Sequence, residues 1–122
     1  MYGAKIHDYL SSQLPDMLEL LKNLVDRNTS SECKEGVDEA GQFLAEEFRK
    51  IGCETEILKY CEVGNSVVAR KSGNGKKAFL ICHIDSVFPK GTTPIKTFAI
   101  RDNIATGNGV VDMKACLVNC LY

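Results

Sequence analysis

The sequence has 122 residues, a length that allows one domain with a single hydrophobic core. Its 15 basic and 16 acidic residues give a formal net charge of −1, and neither sign forms a run, so nucleic acid and anionic membranes are not expected partners. No apolar stretch approaches the ~20 residues of a membrane-spanning helix, and the N-terminus lacks the apolar centre of a secretion signal, which together predict a cytoplasmic protein.

Six cysteines are scattered along the chain, and no two of them form a C-x-x-C pair. With no sign of export, this spacing predicts free thiols rather than a disulfide framework. Cys116 and Cys120 are four residues apart on a predicted helix. That spacing favours two small residues on one buried face over a pair of metal ligands.

Two amphipathic helices are predicted in the first half of the chain. The first repeats apolar residues at intervals of three and four: Leu14, Leu18, Leu21 and Val25. Pro15 is expected in the first turn of this helix, with a shorter helix over residues 4–12 before it. The second has a longer apolar stripe, and Gly52 is expected to end it. The stripe consists of Val37, Ala40, Phe43, Leu44, Phe48 and Ile51.

After Gly52 the pattern changes to that of strands. Residues 53–60 and 65–71 are predicted strands, and the Gly/Asn-rich segment that follows the second is a turn. The continuous apolar run AFLIC, residues 78–82, predicts a strand buried on both faces. Helices followed by strands and a terminal helix predict an α/β layered fold.

Residues 86–97, with three turn-forming residues, are a predicted loop. A hairpin is expected across TFAIRDNIATG, with its turn near Arg101–Asn103. The segment TGNGVVDMKACLVNCLY opens with two glycines and continues into the predicted terminal helix. Asp112 is placed at or near the start of that helix, where unpaired N–H groups and the helix dipole favour an anion.

His83 and Asp85 directly follow the predicted buried strand. Being two positions apart, they face the same side of an extended chain. An imidazole there can bind a metal through one nitrogen while a carboxylate holds the N–H of the other nitrogen. A solvated or locally hydrogen-bonded pair is the alternative for so short a pattern. His7, the only other histidine, is expected on the surface of the first helix.

Taken together, CHIDSVFPKGT and TGNGVVDMKACLV resemble the two linked signatures of the M20 family of zinc metallopeptidases. The VFPKGT variant is most similar to the glutamate carboxypeptidase branch, and the resemblance covers essentially the whole chain. It implies the N-terminal portion of a zinc-exopeptidase-like catalytic domain, with a mixed sheet flanked by helices. Residues 1–122 would then be an incomplete catalytic domain, without the lid or dimerisation domain and without the C-terminal half of the catalytic domain.

By the same resemblance, His83 ligates one zinc ion, Asp112 bridges two zinc ions, and Asp85 is the catalytic-site residue that orients His83. The family's general base and its remaining ligands have no counterpart in this sequence. The isolated chain is therefore expected to be inactive and to bind zinc weakly or not at all. Cys82, Ala115 and Cys116 stand where the family has glycines, which adds bulk near the site.

The resemblance implies a hydrolase that releases a C-terminal amino acid, such as glutamate, by attack of metal-activated hydroxide on an amide. Two alternatives remain: a deacylase of N-acyl amino acids of the acetylornithine deacetylase or desuccinylase type, and a non-catalytic remnant that binds metal or serves as an assembly module. The expected partners are a peptide or N-acyl amino acid substrate and further copies of the chain, joined through an unpaired edge of a truncated sheet.

Overall fold

The computed structural model describes residues 2–89 and 97–122 and combines helices with two small antiparallel sheets. This arrangement confirms the predicted α/β class. The elements in chain order are α1 (Tyr2–Val25), α2 (Lys34–Lys50), β1 (Glu54–Leu58), β2 (Ser66–Arg70), β3 (Ala99–Arg101), β4 (Ile104–Thr106) and α3 (Ala115–Asn119). Within the described residues, no helix combines the length and apolar character needed to cross a membrane.

The core lies where the C-terminal half of α1 meets α2 and the last residues of the chain. Its buried members are Leu20, Leu21, Leu24, Val25, Leu44, Val110, Leu117, Val118 and Leu121. Leu21 and Val25 are therefore buried as the periodicity predicts, whereas Leu14 is half exposed. The difference arises because the N-terminal half of α1 extends beyond the core, so its apolar residues stay largely exposed.

Pro15 lies inside α1, and residues 2–25 form one helix. The prediction of two helices, with Pro15 in the first turn of the second, is wrong. A proline inside a helix removes one N–H bond to the carbonyl four residues earlier, which here belongs to Ser11. Ser11 and Pro15 are both exposed, so water can satisfy that carbonyl and the helix continues.

The second predicted helix is confirmed as α2, and Gly52 follows it with a φ of +86°, a conformation that glycine adopts without strain. One face of α2 covers the sheet formed by β1 and β2, the two strands predicted after Gly52. Gly36 in the first turn of α2 allows close contact with the loop after α1. A β-carbon at this position would lie only 1.8 Å from the main-chain oxygen of Asn28.

The predicted hairpin is confirmed in β3 and β4. Its turn residues, Asp102 and Asn103, both have positive φ values, 49° and 61°, as the tightest antiparallel turns require. Asp and Asn tolerate this conformation better than most residues. The local sequence alone therefore determines this turn.

The prediction of a buried strand at residues 78–82 is wrong. Phe79 and Ile81 are more than four-fifths exposed, and no strand of the described residues pairs with this segment. An inner strand needs a hydrogen-bonded neighbour on each side and a covering layer on each face. The described residues supply neither, so the apolar run lies open to solvent.

Two further predictions concern the C-terminal half. Of the loop predicted at residues 86–97, positions 90–96 lie outside the described residues. The terminal helix is shorter than expected, because α3 has five residues and follows a wide helical turn, Val110–Lys114.

All six cysteines are free, as predicted, but Cys116 is exposed rather than part of a buried face.

Candidate metal centre

The side chains of His83 and Asp112 meet although 29 residues separate them in the chain. His83 Nε2 lies 2.9 Å from Asp112 Oδ1, within hydrogen-bonding distance. The imidazole is about half exposed, and the carboxylate is largely exposed. Solvent and small ions therefore have direct access to the pair.

Asp85 contacts the other ring nitrogen of His83. His83 Nδ1 lies 3.0 Å from the main-chain oxygen of Asp85 and 3.2 Å from its Oδ1. The Nδ1–H group donates to these oxygens, which leaves Nε2 directed at Asp112. This is the relationship that orients a metal-binding histidine: one nitrogen is held by an acceptor and the other is presented to the ligand.

The position of Asp85 depends on the loop that follows α1. Ser86 N–H donates to the Thr29 oxygen at 2.7 Å, and Ser31 N–H donates to the Ser86 oxygen at 3.1 Å, which together form a short parallel bridge. Thr29 and Ser86 are buried, and their hydroxyl groups lie 3.4 Å apart. The bridge therefore fixes the backbone on which Asp85 lies.

Ser31 also contacts Asp85 through its side chain. Its hydroxyl donates to Asp85 Oδ2 at 2.5 Å, so each oxygen of the carboxylate has a partner. Ser31 was not among the residues that the sequence indicated for this site. Ser31 and Asp85 are 54 positions apart, and nothing in the local pattern of either segment indicates their contact.

Asp112 lies on the Val110–Lys114 turn, three residues before α3. Its backbone is extended, with φ −125° and ψ 93°, and the Asp112–Met113 peptide bond is cis. The preceding glycines hold this turn against the core. Gly109 has φ +70°, and a β-carbon on Gly107 would lie 2.4 Å from Val25 Cγ1. The two glycines of TGNG thus serve close packing and a left-handed turn.

The electrostatics of the site favour a cation beside His83. Its hydrogen bond with Asp112 raises the pKa of His83 above the ordinary value of 6.5, partial burial opposes this, and Asp85 adds to the rise. Both ring nitrogens face oxygen acceptors, an arrangement that only the imidazolium form satisfies fully. A metal ion on Nε2 would replace the proton that Asp112 stabilises.

The donor set fits two neighbouring ligands of a zinc ion. Imidazole nitrogen and carboxylate oxygen are ordinary zinc ligands, and Asp85 occupies the outer position that supports a histidine ligand. Among residues 2–89 and 97–122, however, no group of three or more His, Cys, Asp or Glu side chains is arranged to hold a metal ion. The described residues therefore bring together fewer donors than a catalytic zinc site, which usually has three protein ligands.

The backbone of His83 also contacts the turn that precedes α3. Its N–H group donates to the sulfur of Met113 at 3.3 Å, so adjacent residues of the turn contact both the backbone and the ring of His83. Cys82, the residue before His83, has its sulfur 3.8 Å from that of Cys120. Residues 82–83 are thus joined to the C-terminal segment by three contacts, which Asp112, Met113 and Cys120 make.

Comparison with known proteins supports a relationship to carboxypeptidases. The chain is 30% identical over 107 residues to Carboxypeptidase G2 of Pseudomonas sp. (strain RS-16). No family model matches the sequence. The similar region covers 85% of this chain and 26% of that protein, so the chain spans about a quarter of the length of its relative.

Proposed function

We propose that this chain provides part of the active site of a zinc-dependent amide hydrolase of the carboxypeptidase type, as in the M20 metallopeptidases. The observation that carries the proposal is the convergence of His83 Nε2 and Asp112 Oδ1, with Asp85 on the opposite nitrogen of the ring. The similarity to Carboxypeptidase G2 supports the same reaction class. In this proposal His83 would be a ligand of one zinc ion, and Asp112 would be a ligand shared by two.

Each residue has a separate task in the reaction. Asp85 accepts the Nδ1–H of His83, which orients the ring so that Nε2 can bind a cation in place of its proton. Asp112 contributes a negative charge that offsets part of the charge of the cations. When bound, zinc supplies a Lewis acid for the scissile carbonyl and lowers the pKa of the attacking water.

The proposed substrate is a peptide with a free C-terminal carboxylate, from which an amino acid such as glutamate is released. Cleavage of an N-acyl amino acid is the near alternative, because the same metal chemistry serves both reactions. The residues that would distinguish them are those that contact the substrate side chain. Release of glutamate from a peptide, compared with release of acetate from an N-acetyl amino acid, separates the two.

One observation favours a second candidate, a chain that binds metal without catalysing a reaction by itself. The described residues supply two metal donors, and a third does not join them. We therefore expect turnover only where another segment or another chain completes the ligand set. Hydrolysis of a glutamate-terminated peptide by the 122-residue chain alone would contradict this expectation.

Zinc binding to the 122-residue chain tests the proposal directly. We expect calorimetric titration to show weak binding that His83→Ala and Asp112→Ala each abolish, because each removes one of the two donors. His7→Ala is the matched control, since His7 is exposed on α1 and far along the chain from the site. Zinc affinity that is the same in wild type, His83→Ala and Asp112→Ala would refute the proposed site.

A further inference from the structure

Two cysteine sulfurs lie close together on the flank of the candidate site. Cys82 Sγ and Cys120 Sγ are 3.8 Å apart although the residues are 38 positions apart in the chain. Cys82 immediately precedes His83 and is exposed, whereas Cys120 follows α3 and is half-buried. Neither thiol has a role in the proposed hydrolysis.

We propose that Cys82 and Cys120 are a redox-modification site that closes to a disulfide when the chain meets a small-molecule disulfide, such as an oxidised low-molecular-weight thiol. The proposal rests on the geometry of the two sulfurs and on the freedom of the segment that carries Cys82. It is independent of the proposed zinc chemistry.

Closure of the disulfide requires only a small movement. A disulfide bond is about 2.05 Å long, so the sulfurs must approach each other by roughly 1.8 Å. Residues 78–82 have no strand partner among the described residues, and their apolar side chains are exposed. The segment before Cys82 can therefore shift, while the contacts of His83 with Met113 and Asp112 keep Cys82 beside Cys120.

The two thiols differ in accessibility. Cys82 is exposed and is the sulfur that a small disulfide reaches first. Burial, together with the contact from Cys82, raises the pKa of the Cys120 thiol to about 11, so Cys120 is largely protonated at neutral pH. Cys82, the more accessible thiol, therefore makes the first attack, and Cys120 completes the reaction.

The reaction consists of two exchanges. The Cys82 thiolate attacks one sulfur of the small disulfide, breaks its S–S bond and releases one small thiol, which leaves a mixed disulfide on Cys82. Cys120 then attacks the Cys82 sulfur, forms the intramolecular S–S bond and releases the second small thiol. The two protons of the protein thiols pass to the released thiols, and two electrons pass from the protein to the small disulfide.

Oxidation of the full 122-residue chain with oxidised glutathione tests the proposal. We expect the product to have lost two hydrogens in mass, to retain four alkylatable thiols, and to yield a proteolytic fragment that links Cys82 to Cys120. Reduction with excess dithiothreitol should restore all six thiols. Cys82→Ser and Cys120→Ser should each abolish this crosslink, whereas Cys61→Ser, which removes another exposed thiol, should retain it.

The competing pairing is between Cys116 and Cys120, which lie four residues apart. If the linked fragment joins Cys116 to Cys120, or if crosslinking proceeds equally well in Cys82→Ser, the proposal is wrong. Six alkylatable thiols after complete exposure to the oxidant would overturn it as well. Because the readout is a crosslink, loss of zinc binding in the earlier titration would leave this conclusion unchanged.

Discussion

His83 donates from Nε2 to Asp112 Oδ1 at 2.9 Å, and this hydrogen bond is the main cause of the raised pKa of His83. A proton and a zinc ion compete for the same nitrogen, so we expect zinc affinity to fall as pH decreases through that raised pKa. The effect on folding has the opposite sign. The contribution of protonated His83 to stability is fully present below pH 6.5 and is lost as pH rises through the folded-state pKa.

An NMR titration of the metal-free chain measures the pKa of His83 directly. Asp112→Asn should lower the His83 pKa, because the amide no longer supplies the negative charge that stabilises imidazolium. His7→Ala assigns the two histidine signals and serves as the control variant. A His83 titration that is identical in wild type and Asp112→Asn would show that the hydrogen bond does not form in solution.

Ser31 is expected to support zinc binding without contacting zinc. Its hydroxyl donates to Asp85 Oδ2, and Asp85 in turn holds His83 Nδ1. Loss of a group that orients a ligand in this way typically weakens metal affinity by about 10- to 100-fold. We therefore expect Ser31→Ala to weaken zinc binding by about tenfold, and Ser31→Thr to restore most of the affinity because it keeps the hydroxyl.

Ser72→Ala provides the matched control for Ser31→Ala, since Ser72 is an exposed serine in a different turn. Calorimetric zinc titration gives the affinities, and urea denaturation of the same samples separates loss of orientation from loss of folding. Equal zinc affinity in Ser31→Ala and wild type would remove Ser31 from the site. Failure of Ser31→Thr to recover affinity would indicate that the hydroxyl is not the group that matters.

The folds of α2 and of the β3–β4 hairpin could be predicted because local residues determine them. In α2 the apolar stripe and the terminal Gly52 suffice, and in the hairpin Asp102 and Asn103 adopt the positive φ values of the turn. The segment 78–82 could not be predicted in this way. Its apolar composition suits a buried strand, but a buried strand also needs a neighbouring strand on each side. Other parts of the chain decide whether those neighbours are present.

The candidate site was predictable in part for a similar reason. His83, Asp85 and Asp112 were found because two short motifs resemble the signatures of a known family, and their side chains do converge. Ser31 carries no such signature. Its role follows from a contact across 54 residues, which only the three-dimensional arrangement of the loop after α1 creates.

The buried charge of Lys114 is expected to lower the free energy of unfolding at neutral pH. Its side chain is 1% exposed, its ammonium nitrogen has no hydrogen-bond partner among residues 2–89 and 97–122, and burial lowers its pKa to about 8, against some compensation from Asp26. The unfolded chain keeps this proton up to about pH 10.5, the ordinary lysine value. The free energy of unfolding should therefore rise with pH between about 8 and 10.5, where only the unfolded state holds the proton.

Lys114→Met removes the buried charge while filling similar space, and we expect it to stabilise the chain by about 1–3 kcal/mol at pH 7. The gain should shrink above pH 8, because folded wild type then carries neutral Lys114. Urea denaturation at pH 7 and at pH 9.5, with Lys5→Met as an exposed control, measures both effects. Destabilisation by Lys114→Met at both pH values would show that the ammonium has a partner in solution.

The exposed segment 78–82 is expected to make the chain associate with itself. Phe79, Leu80 and Ile81 are 85%, 69% and 81% exposed, and their backbone has no strand partner among the described residues. An apolar segment with free backbone N–H and C=O groups is a template for pairing with the same segment of another copy. Phe79→Lys should weaken this association, because a charge on an exposed strand edge opposes pairing.

Light scattering during size-exclusion chromatography over a range of concentrations measures the mass, and Val63→Lys, which charges a different exposed apolar site, is the control. A wild-type chain that remains monomeric throughout the range, or a Phe79→Lys variant that associates as strongly as Val63→Lys, would show that this segment is not the contact.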